Sequence, residues 1–156
     1  MLLVEALHQF SSDVNHELQR IVTTSVGEVT VANLETHIEQ WLNTVPGYAH
    51  LADLSKATLA LDTKHVHSLA ARMRRMVETC EAGRMAIWVS DDLSFGLARM
   101  FCALAYPECL VETFRLRVDA AAWLGWESPS SASAIWRAAI RRRTEQASAD
   151  RNCRKA

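Results

Sequence analysis

Apolar residues along this chain switch repeatedly between strand-like and helix-like spacing, and the order of those switches sets the expected architecture. Residues 1–29 read as two short strands, the second around Glu17 to Val26 with Leu18, Ile21, Val22 and Val26, closing at Gly27-Glu28. From Thr30 the spacing lengthens to three and four through Leu34, Ile38, Trp41, Leu42 and Val45, which predicts a helix that Pro46-Gly47 ends. Tyr48 to Leu54 is short and apolar, a strand inside a sheet. The segment from Asp62 to Ala82 carries one continuous stripe, Val66, Leu69, Ala70, Met73, Met76, Val77 and Cys80, and predicts a long helix with Gly83 as its C-terminal stop.

Met85 to Val89 is almost purely apolar, as a strand covered on both faces should be. Ser90-Asp91-Asp92-Leu93-Ser94 then offers side-chain oxygens to cap a helix from about Leu93 to Ala105, closed by Pro107. Leu110 to Phe114 is a last strand and Asp119 to Leu124 a short helix ending at Gly125. The order β-β-α-β-α-β-α-β-α predicts an α/β fold, with a mostly parallel central sheet of about five strands covered by helices.

Composition adds limits. The chain has 156 residues, 49% of them hydrophobic and 22% charged, with 5 Gly and 3 Pro, which excludes a disordered or collagen-like protein. A domain of this size buries roughly two-thirds of its unfolded surface and needs no covalent staples. Cys80, Cys102, Cys109 and Cys153 form no C-x-x-C pair, so a reducing, cytoplasmic setting is expected. The first residues lack the basic and apolar regions of a signal peptide, and no apolar run suits a membrane span.

The formal charge of -1 conceals a split. Residues 127–156 hold seven basic and three acidic residues, whereas residues 1–126 hold ten against fifteen. The same boundary marks a change to Glu127-Ser-Pro-Ser-Ser-Ala-Ser, so the expected organisation is an α/β domain over 1–126 and, over 127–156, a linker, a basic amphipathic helix at about 134–146 and a polar tail. Trp136 and Ile140 with Arg137 and Arg141 are its candidate partner contacts.

Several segments together resemble a known family. They are Asp53-Leu54-Ser55, read as ending a strand; Ala86-Ile87-Trp88-Val89; Asp92-Leu93-Ser94-Phe95-Gly96-Leu97-Ala98-Arg99-Met100-Phe101; and Phe114-Arg115 followed by Ala120-Ala121-Ala122-Trp123-Leu124-Gly125. With the element order, they make residues 16–125 similar to the bacterial SpoIIAA-like family of the STAS/SEC14-like superfamily. The resemblance implies an interaction module like the anti-sigma-factor antagonists. Those proteins present a phosphorylatable serine after an aspartate before their long second helix, and Asp62-Thr63 occupies the corresponding turn. Thr63, with Asp62, is therefore a candidate phospho-acceptor, since a phosphate at a helix N-terminus meets backbone N–H donors. The plain alternative is that one of the two residues only caps the helix.

Other constellations are sparser. His65-x-His67 places its rings about 200° apart on a helix, too divergent to chelate one ion. His8, His16, His37 and His50 are scattered, and no metal or cofactor is expected. No catalytic motif is legible, and Asp91-Asp92 reads as a cap rather than an acid/base pair. Arg72, Arg74, Arg75 and Arg84 form a basic spot, either a solvated face or an anion or partner site. Gly96, inside a helix, is expected to mark a close approach to the sheet. Trp88, Phe95, Met100 and Phe101 are core residues or, at the sheet's carboxyl edge, the lining of an apolar pocket or interface.

The expected function is a non-catalytic cytoplasmic regulatory or protein-interaction module that self-associates as a dimer and contacts no nucleic acid. A carrier or sensor of a small apolar ligand is the alternative, and an enzyme of unrecognised type ranks last.

Overall fold

The computed structural model describes residues 10–126, together with Arg143 and Glu145. The described elements run β1 (Phe10–Asn15), β2 (Arg20–Thr30), α1 (Val31–Thr44), β3 (Ala49–Ala60), α2 (Thr63–Val77), β4 (Met85–Trp88), α3 (Asp92–Ala105), β5 (Val111–Phe114) and α4 (Arg117–Trp123). They form the mixed α/β architecture anticipated from the apolar pattern. The sheet has strand order β1-β2-β3-β4-β5, with β1 antiparallel to β2 and every later pair parallel.

This order explains where the helices sit. Each parallel crossover steps to the next strand in one direction, and right-handed crossovers taken that way put every connecting helix on one face. Buried residues of α1 (Ile38, Trp41, Leu42), α2 (Val66, Leu69, Met73) and α3 (Leu97, Phe101, Ala105) accordingly share one core with Met85, Ile87 and Val111 of the sheet. The opposite face holds a smaller core of Leu51, Ala86, Phe114, Ala120 and Leu124, covered by α4 with Trp88, Trp123 and Trp126 packed against it. Gly125 closes α4 at φ +77°, with its N–H on the Ala122 carbonyl and the Trp126 N–H on the Ala121 carbonyl, the paired bonds that terminate a helix through a left-handed residue.

Helix starts follow the sequence closely because short polar side chains satisfy the free N–H groups there. Thr30 caps α1 in a reciprocal box with Asn33. Asp62 caps α2, and Asp91 caps α3 by accepting from the Ser94 N–H at 2.8 Å.

Four expectations need correction. β3 does not end at Asp53-Leu54-Ser55 but continues to Ala60, because its register against β2 shifts between Thr24 and Val26. Before that bulge the helix-side residues are His50, Ala52 and Leu54; after it they are Ala57 and Leu59, so alternation fails at the point where the strand seemed to stop. α2 ends at Val77 rather than Ala82. Gly83 therefore stops no helix; it lies where the chain crosses the Tyr48 carbonyl, with space for no side chain. Gly96 faces open space rather than approaching the sheet.

Candidate functional site

Between the sheet and α1, α2 and α3 lies a partly enclosed cavity of about 70 Å³. Its wall is almost wholly aliphatic and aromatic: Leu34 and Ile38 of α1, Leu54 and Leu59 of β3, Leu97 and Phe101 of α3. The void has a compositional cause. Ala52 on β3 and Ala98 on α3 both line it, and alanine at two sheet- and helix-facing positions leaves volume that a leucine would fill.

Two histidines, His37 from α1 and His50 from β3, also border it, with no polar atom open to the space. His50 has no exposed surface, and His37 is 8% exposed. Their rings lie 5.4 Å apart, with Trp41 4.6 Å from His50 and Phe10 stacked on His37 at 4.3 Å. Sequence spacing put His37 and Trp41 on one helical face, one turn apart, while His50 arrives from the neighbouring strand.

Burial controls the charge of both imidazoles. Desolvation lowers the pKa of His37 from 6.5 to about 4. His50 is driven well below 6.5 by desolvation and, secondarily, by its proximity to His37. Both rings are therefore neutral near pH 7. Only one of their nitrogens has a described partner: His50 Nε2 lies 2.7 Å from Thr23 Oγ1. His50 Nδ1, His37 Nε2, Trp41 Nε1 and Ser25 Oγ are buried with no hydrogen-bond partner. Such groups normally find one, because burial without one costs about 1–3 kcal/mol each.

The residues singled out from the sequence are distributed as follows. Phe101 lines the cavity, whereas Phe95 and Met100 pack at the margin of the same core. Trp88 is on the opposite face, its indole N–H donating to the Arg115 carbonyl at 3.1 Å. These four do not converge on one pocket. Asp62 accepts from the His65 N–H at 2.8 Å, and His65 Nδ1 accepts from the Asp62 N–H at 3.2 Å, which makes the pair a capping box. The bond from the His65 N–H, above all, holds the Asp62 carboxyl below the usual carboxylate range. Thr63 is exposed at the first helical position beside it. Trp136, Arg137, Ile140 and Arg141 lie outside the described residues. Arg143 is helical; its side chain pairs with Glu112, and its carbonyl accepts from the Tyr106 hydroxyl at 3.4 Å.

The basic spot is dispersed. Arg72 pairs with Glu39 of α1 and lies 4.0 Å from Glu35, while Arg84 stacks on Trp123 and donates to its carbonyl. At the carboxyl end of β4 and β5, Arg115 bridges Asp92 at 2.7 Å and covers the Phe95 ring at 4.1 Å. Leu93, Leu116 and Val118 flank these residues and are 67%, 58% and 45% exposed.

The buried thiols carry no nucleophilic character. Burial pushes Cys102 up to about 12 and Cys109 up to about 11, so both stay protonated. Among the described residues no three His, Cys, Asp or Glu side chains gather into a metal-binding group, and no helix is long and apolar enough to cross a membrane.

No protein-family model matches this chain. No curated protein matches it. Among solved structures it is similar to an uncharacterized protein from the DUF3478 family with a SpoIIAA-like fold, from Shewanella loihica PV-4, at 19% identity over 74% of this chain and 91% of that chain, with a TM-score of 0.48.

Proposed function

We propose that this protein is a non-catalytic binding module whose central cavity takes a small apolar ligand. The observation that carries this reading is the cavity itself: about 70 Å³ of space walled chiefly by leucine, isoleucine and phenylalanine, where protein interiors are ordinarily close-packed. An engineered apolar cavity of about 150 Å³ binds benzene, so a space half that size suits a body of roughly four non-hydrogen atoms, or a longer chain that extends through the open side. At a ceiling of about -1.5 kcal/mol per non-hydrogen atom, affinity for so small a body is no tighter than tens of micromolar.

Titration with 1-chlorobutane, followed by methyl NMR of the full chain, tests the proposal. Saturable shifts at Leu54, Leu59 and Leu97, abolished by Ala98→Leu, are the expected result. Shifts that fail to saturate, or that persist in Ala98→Leu, overturn it.

A second reading, a protein-contact module that self-associates or meets a regulatory partner, is supported by the exposed Leu93, Leu116 and Val118 around the Asp92–Arg115 pair. Thr63 as a phospho-acceptor belongs to this reading, supported by its exposure at the start of α2. Sedimentation of the wild type against Leu116→Asp tests self-association: a dimer that becomes monomeric is expected, and a monomer in both rules it out.

A further inference from the structure

The spacing of residues 134–146 predicts a basic helix, and Arg143, which is helical, shows where that segment meets the fold. A shallow groove of about 40 Å³ lies beside the start of β5, and Tyr106, Leu110, Val111, Glu112 and Trp123 line it together with Arg143. The Arg143 side chain pairs with Glu112, and the Tyr106 hydroxyl donates to the Arg143 carbonyl at 3.4 Å. Glu112 needs such a pair: its side chain is only 14% exposed, and a carboxylate so shielded is costly to leave without a cation. Its other oxygen accepts from the Thr113 N–H at 3.1 Å. Among the described residues no strand lies beyond β5, so the groove adjoins an edge of the sheet. A bare edge is a template for pairing with another chain, and a helix laid over it removes that hazard.

Charge, spacing and reach select the chain's own C-terminal segment as the occupant. Residues 127–156 hold seven basic and three acidic residues against ten and fifteen in residues 1–126, so the two parts attract. At about 100° per residue, Trp136, Ile140 and Arg143 fall within about 60° of one another on a helix. The face that brings Arg143 to Glu112 therefore also presents the two large apolar residues. Leu110, Val111 and Trp123 offer them an apolar wall, with Leu110 still 37% exposed. The domain ends at Trp126, just past Trp123 of the same groove. Residues 127–133 alone, if extended, span about 23 Å, enough for the chain to turn back. We infer that residues 134–146 dock on the β5 edge of their own domain, with Arg143 on Glu112 as the anchor and Ile140 and Trp136 against the apolar groove. That edge is closed by the chain itself rather than offered to a partner, whether or not the central cavity takes a ligand.

Limited trypsin digestion of the full chain, read by mass spectrometry, tests the docking, because a docked helix is cut only while it lifts away and the rate then follows the open population. In the wild type, cleavage after Arg137 should lag well behind cleavage after Arg151 in the polar tail. Arg143→Glu and Glu112→Lys should each speed cleavage after Arg137 about fivefold, the scale of a partly exposed ion pair, and the double reversal should restore protection. An equimolar mixture of the two single variants should stay unprotected. Recovery in that mixture would mean that the helix docks on a second copy, which overturns the assignment. Equal cleavage after Arg137 and Arg151 in the wild type, or no response to Arg143→Glu, overturns it as well. If Glu112→Lys loses its folded circular dichroism, Arg143→Glu decides, since that change lies outside the α/β domain.

Discussion

His50 Nε2 and Thr23 Oγ1 meet at 2.7 Å on adjacent strands, in a region from which solvent is excluded. It is the one described hydrogen bond of an imidazole that has no exposed surface. Replacing Thr23 with valine keeps the shape and removes the partner, which leaves His50 with two unpaired nitrogens. A loss of about 1–3 kcal/mol is expected by urea denaturation. A change under about 0.5 kcal/mol would show that the bond contributes nothing net.

Acid should destabilise the fold through the same cluster. A histidine whose folded pKa lies below its unfolded value costs nothing while both states are neutral, above about 6.5. As pH falls through 6.5 the unfolded state takes up the proton first, and stability declines until the folded pKa is reached. For His37 that window runs from 6.5 to about 4, a loss on the order of 3 kcal/mol. His50 acts in the same direction. Denaturation midpoints at pH 7.5, 6 and 5 should fall in that order, and His37→Leu should flatten the decline. A midpoint that rises towards pH 5 would contradict the burial of both rings as neutral groups.

Gly96 provides a stabilising test. It sits within α3, exposed, and a Cβ built on it meets nothing within 4 Å. The glycine there costs helix stability without relieving any contact, so Gly96→Ala should raise stability by about 1 kcal/mol. At this chain length that corresponds to roughly 2–4 °C in Tm, readable by circular dichroism. A lower Tm would mean that another surface approaches α3 at this position.

What the sequence revealed and what it concealed divide along physical lines. Thr30, Asp62 and Asp91 were legible as helix starts because capping depends on one side chain and a neighbour three residues on. The second half of β3 was not, because the bulge opposite Ser25 moves the buried positions from Leu54 to Ala57 and breaks the two-residue period. The cavity left no periodic signal at all. Ala52 and Ala98 are ordinary apolar positions in the pattern, and only the missing volume between two elements distinguishes them. His37 and His50 are likewise thirteen positions apart, on a helix and a strand; neither the apolar stretch around His50 nor the helical register of His37 with Trp41 says that the rings meet.

Gly83 tests the backbone that supports His50. An alanine Cβ there would stand 2.2 Å from the Tyr48 carbonyl oxygen and 2.7 Å from that of Gly47, both backbone atoms that cannot rotate away. The two segments are also tied on either side of this point, by the Gly47 N–H on the Glu81 carbonyl and by the His50 N–H on the Arg84 carbonyl at 2.8 Å. Relief of the clash must therefore displace the start of β3 relative to the approach to β4. Gly83→Ala is expected to cost about 1–3 kcal/mol, as overpacking does elsewhere. The displacement should also move the His50 ring resonances, because that residue is hydrogen-bonded one position beyond the clash. An unchanged Tm with unmoved His50 resonances would mean that the two segments do not run this close, and the wall of the cavity on that side would have to be redrawn.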